Sequence, residues 1–164
     1  MRHSPEILTL VIEMDDPIGE TARKLIQDLC TEMCEKYGTP PSSFSVSEAA
    51  TLRTVFLVAR LGGQSVGCRA LRRIDDNTAV IKRMFVAING RRQGIARRLL
   101  VELECRAVGF DYQTIRLETG IRQPEAQRLY EPFGYRRIAA FGPYVGSPAS
   151  VCYEKVLVEK HHAA

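Results

Sequence analysis

The sequence predicts one mixed α/β domain, in which a mostly antiparallel sheet of six to seven strands carries helices on both faces. Three observations predict it: a length of 164 residues, a composition of 45% apolar and 26% charged residues, and short alternating segments interleaved with amphipathic ones. A chain of this length buries a core without disulfides or metal. With 12 Gly and 8 Pro, the composition excludes disordered and collagen-like chains. We therefore expect a single domain over residues 1–164.

The first half of the chain predicts a strand, a helix and a three-stranded meander. Residues 7–13 alternate as a short strand, and residues 19–37 carry apolar side chains at helical spacing before Gly38 ends the helix. The Pro- and Ser-rich residues 39–45 predict a loop. Three strands, separated by a Gly-Gly and an Asp-Asp-Asn turn, follow over residues 55–61, 65–73 and 78–86.

The middle of the chain predicts a strand–helix–strand crossover. A helix spans residues 94–108, and its inward side chains are Ile95, Leu99, Leu103 and Ala107. A strand over residues 114–118 follows this helix, so we expect it to lie parallel to the strand over 78–86.

The C-terminal third predicts a short helix and two strands. Pro124 suits the first turn of a helix over residues 124–131, and Pro132 ends it. Strands over 135–141 and 151–158 complete the sheet.

Histidine and cysteine usage disfavours several enzyme classes. The histidines are His3, His161 and His162, all near the ends of the chain, so none is placed to activate a Ser or Cys nucleophile. Their positions also exclude a zinc site of the HExxH type, and the sequence has no phosphate loop of the Gly-Lys-Ser/Thr kind. The five cysteines follow no metal-ligand spacing, so we expect free buried thiols and no metal; they are Cys30, Cys34, Cys68, Cys105 and Cys152.

Charge and hydropathy restrict the partners. The net charge of +4 permits an anionic ligand but is too small to predict nucleic-acid binding. The longest uncharged segment, residues 138–153, is interrupted by Pro and Gly, whereas a spanning helix needs about 20 apolar residues, so we expect no membrane association. Acidic residues at Glu6 and Glu13 precede any signal-peptide core, and we therefore expect a cytoplasmic protein.

The segment most informative about function is the arginine-rich start of the second helix. Arg91, Arg92, Arg97 and Arg98 surround Gly94 where the chain turns from strand into helix. A helix N-terminus carries roughly +0.5 elementary charge, so arginines there are unfavourable unless an anion binds. Free N–H groups and guanidinium groups suit a phosphate, and a glycine lets it approach the backbone. The alternative is a solvated basic turn.

Two sequence motifs lie on either side of the predicted parallel strand. The first is Arg91-x-x-Gly94-x-Ala96, and the second is Ala-Gln-Arg-Leu-Tyr-Glu over 126–131, followed by Phe-Gly-Tyr over 133–135. In this order they resemble the R/Q-x-x-G-x-G/A signature and the A-x-x-L-Y-E … G-F/Y segment of the GNAT superfamily of N-acetyltransferases, across residues 78–140. The chain departs from the family pattern where Asn is frequent and where some members carry a catalytic carboxylate; the departing residues are Gln123, Val80 and Lys82.

The resemblance implies transfer of an acetyl group from acetyl-CoA, as co-substrate, to a primary amine. No cysteine is placed to carry an acyl intermediate, so we expect direct attack in a ternary complex. It implies a sheet splayed between its fourth and fifth strands, with pantetheine paired to the splayed end of the fourth. The pyrophosphate would lie on the backbone amides at the helix start, with Arg91 and Arg97 as charge partners. The implied cofactor-binding residues are Met84, Phe85, Val86, Arg91, Arg92, Gln93, Gly94, Ile95, Ala96, Arg97, Gln123 and Ala126.

Two residues are candidates for the proton transfers that this reaction needs. An alkyl ammonium has a pKa of about 10, so some group must accept a proton from the attacking amine. Glu118 is the candidate base, and the alternative is a strand-end carboxylate paired with Arg116 or Arg122. The resemblance gives Tyr130 the role of general acid toward the leaving thiolate, whereas from the residues alone Tyr130 is a packed helix aromatic.

The acceptor is predicted to be a small amine or an amino acid rather than a protein. Its candidate walls are the first helix, the loop after it and the uncharged residues 141–150, and Arg83 is a candidate partner of a substrate carboxylate. Two alternatives stay open: a non-catalytic acyl-CoA-binding module, and a basic RNA-binding surface, for which the chain carries no recognised motif. A homodimer is expected by analogy with the superfamily.

Overall fold

A mixed seven-stranded sheet forms the centre of the computed structural model, which describes residues 7–38 and 52–157. Its strands are β1 (Leu10–Met14), β2 (Val55–Leu61), β3 (Gln64–Arg73), β4 (Thr78–Val86), β5 (Thr114–Gly120), β6 (Arg136–Ile138) and β7 (Ser150–Val156). The helices in the described residues are α1 (Glu20–Tyr37), α2 (Ile95–Gly109) and α3 (Pro124–Tyr130). The strand order is β1-β2-β3-β4-β5-β7-β6, and every neighbouring pair is antiparallel except β4 and β5.

One face of the sheet is covered by α1. Its buried residues Ala22 and Leu25 pack against Phe56, Cys68 and Phe85. The helix ends where Gly38 adopts a left-handed conformation with φ 73°, which glycine tolerates without strain, and the Gly38 N–H bonds to the carbonyl of Cys34 at 2.8 Å. The predicted end of this helix is confirmed.

The opposite face is covered by α2 and α3. The predicted inward residues of α2 are all buried, and the helix packs against β2, β3 and β4; these residues are Ile95, Leu99, Leu103 and Ala107. Tyr130 of α3 belongs to the same cluster as Tyr135 and Tyr153. The predicted meander, the parallel crossover and the helices on both faces are therefore confirmed.

The parallel pair is incomplete, and its break positions the site. Residues Thr78–Ile81 of β4 pair with Thr114–Leu117 of β5, and the ladder stops there although both strands continue. On the other side of β4, the register with β3 shifts between Cys68 and Ala70, because Arg83 adds a residue in the left-handed region at φ 60°. This bulge turns the second half of β4 away from β5, so the expected splay is confirmed.

Several predicted strand bounds were wrong. The last strand, predicted over 151–158, is Ser150–Val156, and the strand predicted over 114–118 continues to Gly120. The first strand begins at Leu10 rather than at residue 7. The strand predicted over 135–141 is Arg136–Ile138, because the Tyr135 N–H bonds back to the carbonyl of Tyr130 at 3.3 Å and Pro143 lies in the short helical turn Gly142–Tyr144, just beyond the prediction. The loop predicted over 39–45 and the three histidines lie outside the described residues.

The thiols are free, and their predicted burial is only partly right. Cys68 and Cys152 are buried in the sheet, but Cys34 and Cys105 are exposed, because they lie on helix faces turned away from the core. The described residues contain no group of three or more His, Cys, Asp or Glu side chains placed to hold a metal ion. None of the helices within 7–38 and 52–157 has the length and hydropathy that a membrane crossing requires.

Candidate active site

An open loop of unpaired backbone amides links β4 to α2. After β4 the chain makes a short helical turn, Ile88–Gly90, and residues 91–94 are exposed. Arg92 and Gly94 adopt left-handed conformations with φ 62° and 73°. Within the described part of the chain, the N–H groups of residues 92–97 have no hydrogen-bond acceptor, and the next amide, that of Arg98, closes the first helical turn onto the Gly94 carbonyl at 3.1 Å. Six amides at a helix N-terminus suit an anion.

Arg91 anchors this loop rather than pointing into it. Its Nε donates to the carbonyl of Val86 at 2.9 Å, and its Nη2 lies 2.5 Å from a carboxylate oxygen of Glu32 on α1. The predicted charge partner of the pyrophosphate is therefore already paired with a carboxylate. The other predicted partner, Arg97, lies with its guanidinium carbon 5.3 Å from the ring centre of Phe133.

A pocket of about 410 Å³ lies where β4 and β5 diverge. Its floor includes Met84 of β4, Glu118 of β5, Gln123 and Tyr130. Two of the segments predicted as acceptor walls also line this pocket, namely α1 and the residues that lead into β7. They contribute Leu29, Met33, Tyr37, Tyr144, Ser147, Ala149 and Ser150. The loop after α1, the third predicted wall, lies outside the described residues.

Glu118 forms no ion pair with Arg116 or Arg122, which was the alternative to its role as a base. Arg116 pairs instead with Glu154 at 2.8 Å, and Arg122 donates to the carbonyl of Lys36 at 3.0 Å. Burial raises the pKa of Glu118 above its usual range, while the Ser150 hydroxyl and the charge of Lys82 act in the opposite direction. A carboxylate with a raised pKa is a better proton acceptor.

Tyr130 is held from three sides and is 3% exposed. Its ring makes an edge contact with Tyr135, with centroids 5.6 Å apart, and a tilted contact with Tyr153 at 6.0 Å. Its hydroxyl donates to the Met84 sulfur at 3.4 Å, so it points toward β4 and the pocket. Packing therefore fixes the ring and leaves the hydroxyl at the gap.

The remaining predicted cofactor residues lie on β4 and at the start of α3, and only Met84 and Gln123 of them line the pocket. Met84 is partly buried in the core, while Phe85 lies on the α1 side and is 7% exposed, so both pack through their side chains, as expected. Val86 ends β4 and accepts the hydrogen bond from Arg91. Ala126 is buried on α3, and the Gln123 side chain does not cap that helix but donates to the Met33 sulfur at 3.4 Å.

Two pocket features escaped the sequence analysis. Lys82 Nζ hydrogen bonds to the hydroxyl of Tyr144, whose pKa burial raises to about 12. Tyr37 extends over the end of β5, where a β-carbon at Gly120 would overlap the tyrosine hydroxyl. Gly120 is thus required by close approach, but a lone glycine at a strand end gave no signal that an aromatic ring from a distant helix would cover it.

Comparisons with known proteins agree with this geometry. The sequence profile described as "Acetyltransferase (GNAT) domain" matches residues 53–137. An IAA acetyltransferase from Azospirillum brasilense is 34% identical over 153 residues, which cover 90% of this chain and 98% of that protein. A crystal structure of a candidate acyl-CoA N-acyltransferase from Klebsiella pneumoniae superposes with a TM-score of 0.77 at 31% identity, covering 92% of this chain and 99% of the other.

A third comparison concerns a structure with the cofactor bound. A GNAT family acetyltransferase from Elizabethkingia anophelis, solved with acetyl-CoA, has the same fold with a TM-score of 0.67 at 18% identity, covering 90% of this chain and 98% of that one. The matched profile, the relative aligned over nearly its full length and the split sheet lead to one conclusion. The chain belongs to the GNAT superfamily of acetyl-CoA-dependent acetyltransferases.

Proposed function

We propose that the protein transfers the acetyl group of acetyl-CoA to the primary amine of a small molecule, by direct attack in a ternary complex. The observation that carries this proposal is the end of the β4–β5 ladder at Ile81 and Leu117. The pocket that contains Glu118 and Tyr130 lies at this gap, and the loop of unpaired amides follows β4 directly in the chain. One site can therefore receive a long anionic thioester from one side and an amine from the other.

The loop supplies the contacts for the pyrophosphate. The amides of Arg92, Gln93, Gly94, Ile95 and Ala96 are free and exposed or at the helix start, and the positive end of α2 adds to their attraction for an anion. Arg97 adds positive charge in the first turn. Arg91 acts differently, because its pairing with Glu32 and Val86 fixes the shape of the loop.

The gap and the pocket supply the chemistry. Backbone N–H groups in the second half of β4, Met84–Val86, would pair with the pantetheine and polarise the thioester carbonyl, which makes its carbon a better electrophile. Glu118 accepts a proton from the amine as its nitrogen attacks. Tyr130 donates its hydroxyl proton to the departing thiolate, and the proton lost by the amine restores it through the pocket solvent.

No cysteine of the described residues lines the pocket, which favours direct attack over an acyl-cysteine intermediate. Cys68 faces α1 instead, and burial raises the pKa of its thiol to about 12. Cys152 is buried beside Glu118 in the β5–β7 register, and its pKa is also raised. Thiols that stay protonated at neutral pH are poor nucleophiles.

The pocket charge favours an acceptor that carries a carboxylate beside its amine. Lys82 and Arg83 line the pocket, and Glu118 is its one acidic side chain within the described residues. Arg83 and Arg72 lie close enough to Tyr144 to influence its ionisation, so positive charge continues along this wall. The Azospirillum brasilense relative is named for IAA, a small molecule, which agrees with a small acceptor.

The test is a thiol-release assay. The protein is incubated with acetyl-CoA and a panel of amino acids, neutral alkylamines, polyamines and peptides, and free thiol is measured against an amine-free control. Release that depends on a small amine, with the acetylated amine identified by mass spectrometry, is the expected result. Coenzyme A binding with no amine-dependent release would instead identify a non-catalytic acyl-CoA-binding module.

A further inference from the structure

Arg69 is a charged side chain buried in the middle of the sheet. It lies on β3 opposite the β4 bulge formed by Arg83 and Met84, and it is 0% exposed. Its Nη2 donates to the Met84 sulfur, but its Nε and Nη1 have no hydrogen-bond partner, and within the described residues it forms no ion pair. A buried guanidinium without a carboxylate partner destabilises a fold, so packing alone does not explain it.

The side chain is directed at the general acid. The guanidinium carbon of Arg69 lies 5.6 Å from the ring centre of Tyr130, and the Tyr130 hydroxyl and Arg69 Nη2 both donate to the same Met84 sulfur. The Met84 side chain lies between the two donors and lines the pocket. Its unbranched thioether changes rotamer easily, so it does not hold the two groups apart. Tyr135, which packs against Tyr130, hydrogen bonds to Glu104, and that carboxylate already accepts from the Tyr135 hydroxyl and Lys155 Nζ, both at 2.9 Å.

We propose that Arg69 is a positioning residue of the transferase reaction, which holds Tyr130 and stabilises the phenolate formed when that tyrosine protonates the leaving thiolate. This inference rests on the proposed function. In the step concerned, the Tyr130 O–H bond breaks as an S–H bond forms on coenzyme A, and the negative charge left on the ring faces the guanidinium. A fixed cation in a water-poor core stabilises such charge without solvent reorganisation.

Energetics distinguish this role from a structural one. Replacing an unpaired buried charge by an apolar side chain of similar size is often neutral or stabilising. Arg69→Met should therefore leave the melting temperature unchanged or raise it, while kcat falls. If Arg69 were needed for packing, stability and activity would fall together.

The experiment compares Arg69→Met, Arg69→Gln and Arg69→Lys, each in the natural chain and with Tyr130→Phe, using acetyl-CoA and the best amine of the panel. For the neutral variants we expect kcat to fall about 10- to 100-fold, as for other supporting residues, with the KM for acetyl-CoA within about threefold. Arg69→Lys should keep most of the activity, because it keeps the charge. In the Tyr130→Phe protein, the neutral substitutions should have no further effect.

The inference is overturned by unchanged kcat in the neutral variants, by an equal loss in the Tyr130→Phe protein, or by a lowered melting temperature that accounts for the loss. If Arg69→Met does not fold, the comparison of Arg69→Gln with Arg69→Lys decides the question in the same way. Lack of turnover in the unaltered protein with every amine would instead refute the proposed function, so the two failures are distinguishable.

Discussion

Glu118 shares its pocket with Lys82 of β4, the hydroxyl of Ser150 on β7, and Tyr144. Burial raises the pKa values of Glu118 and Tyr144, the latter to about 12, so Tyr144 stays protonated at neutral pH. The protonated phenol of Tyr144 can donate or accept a hydrogen bond but cannot take a proton from the substrate amine. Of these groups, Glu118 is therefore the one that we propose as the acceptor of the amine proton.

We predict that Glu118→Gln lowers kcat about 100-fold for a strongly basic amine, and less for an amine that is already neutral at pH 7.

The same variant should be more stable than the natural chain at pH 8. Because folding raises the pKa of Glu118, ionisation of this carboxyl destabilises the folded natural chain. Glu118→Gln removes that destabilisation, so the variant gains stability over the natural chain above the usual Glu pKa and gains none below it. Urea unfolding at about pH 4 and pH 8 checks this.

Glu154→Gln is the matched control for stability, because Glu154 is paired with Arg116 at 2.8 Å and should gain nothing at pH 8. A Glu118→Gln protein that is less stable than the natural chain at pH 8 would contradict the assigned environment of Glu118.

Tyr130→Phe should lower kcat about 100-fold while the affinity for coenzyme A changes little, because the tyrosine ring is held by Tyr135 and Tyr153 and only the hydroxyl is lost. Steady-state kinetics and calorimetric titration separate the two quantities. Tyr153→Phe, another buried tyrosine but outside the pocket lining, is the control and should retain activity. Full activity in Tyr130→Phe would remove the general-acid role.

Arg83→Asn tests the carboxylate partner. Asn tolerates the left-handed conformation of this bulge residue, so the backbone should keep its path while the charge is removed. We expect the KM for a carboxylate-bearing amine to rise about 10- to 100-fold, and that for the matching amine without a carboxylate to stay the same. Equal changes in KM for both amines would show that Arg83 does not bind the carboxylate.

At the scale of elements, one strand serves two purposes. The first half of β4 is paired on both sides and belongs to the core, whereas its second half is paired only with β3 and leads into the amide loop. The bulge at Arg83 marks the change. Substitutions in the first half should therefore act on stability, and those in the second half and the loop on binding.

Gly94→Glu should abolish coenzyme A binding, because a carboxylate would stand among the amides that we propose receive the pyrophosphate. The Gly94 φ of 73° adds strain for any side chain, so a control must share that strain. Gly63→Glu provides it, since Gly63 has φ 84° and equally open surroundings but lies in the β2–β3 turn. Titration calorimetry on both variants is the measurement, and retained affinity in Gly94→Glu would refute the phosphate site.

At the scale of the whole molecule, local signals predicted most of the fold. Periodicity and turn residues gave the meander, the crossover and the buried stripe of α2, because each depends on neighbours in sequence. The splay between β4 and β5 was predicted only from the resemblance to the GNAT superfamily. Contacts between distant segments were not predictable: Arg91 with Glu32, Tyr37 over Gly120, and the buried Arg69 beneath Tyr130. Each of these joins residues that only the folded sheet brings together.

The split sheet also predicts that coenzyme A stabilises the folded protein. Four residue pairs form the ladder between β4 and β5, and beyond them a bound pantetheine would bridge the two strands. Coenzyme A at 100 times its Kd should then stabilise the native state by about 2.7 kcal/mol, seen as a rise in melting temperature that Gly94→Glu lacks. An unchanged melting temperature would contradict a bridging ligand. Without coenzyme A the protein should therefore unfold, and be cleaved by an added protease, more readily than with it.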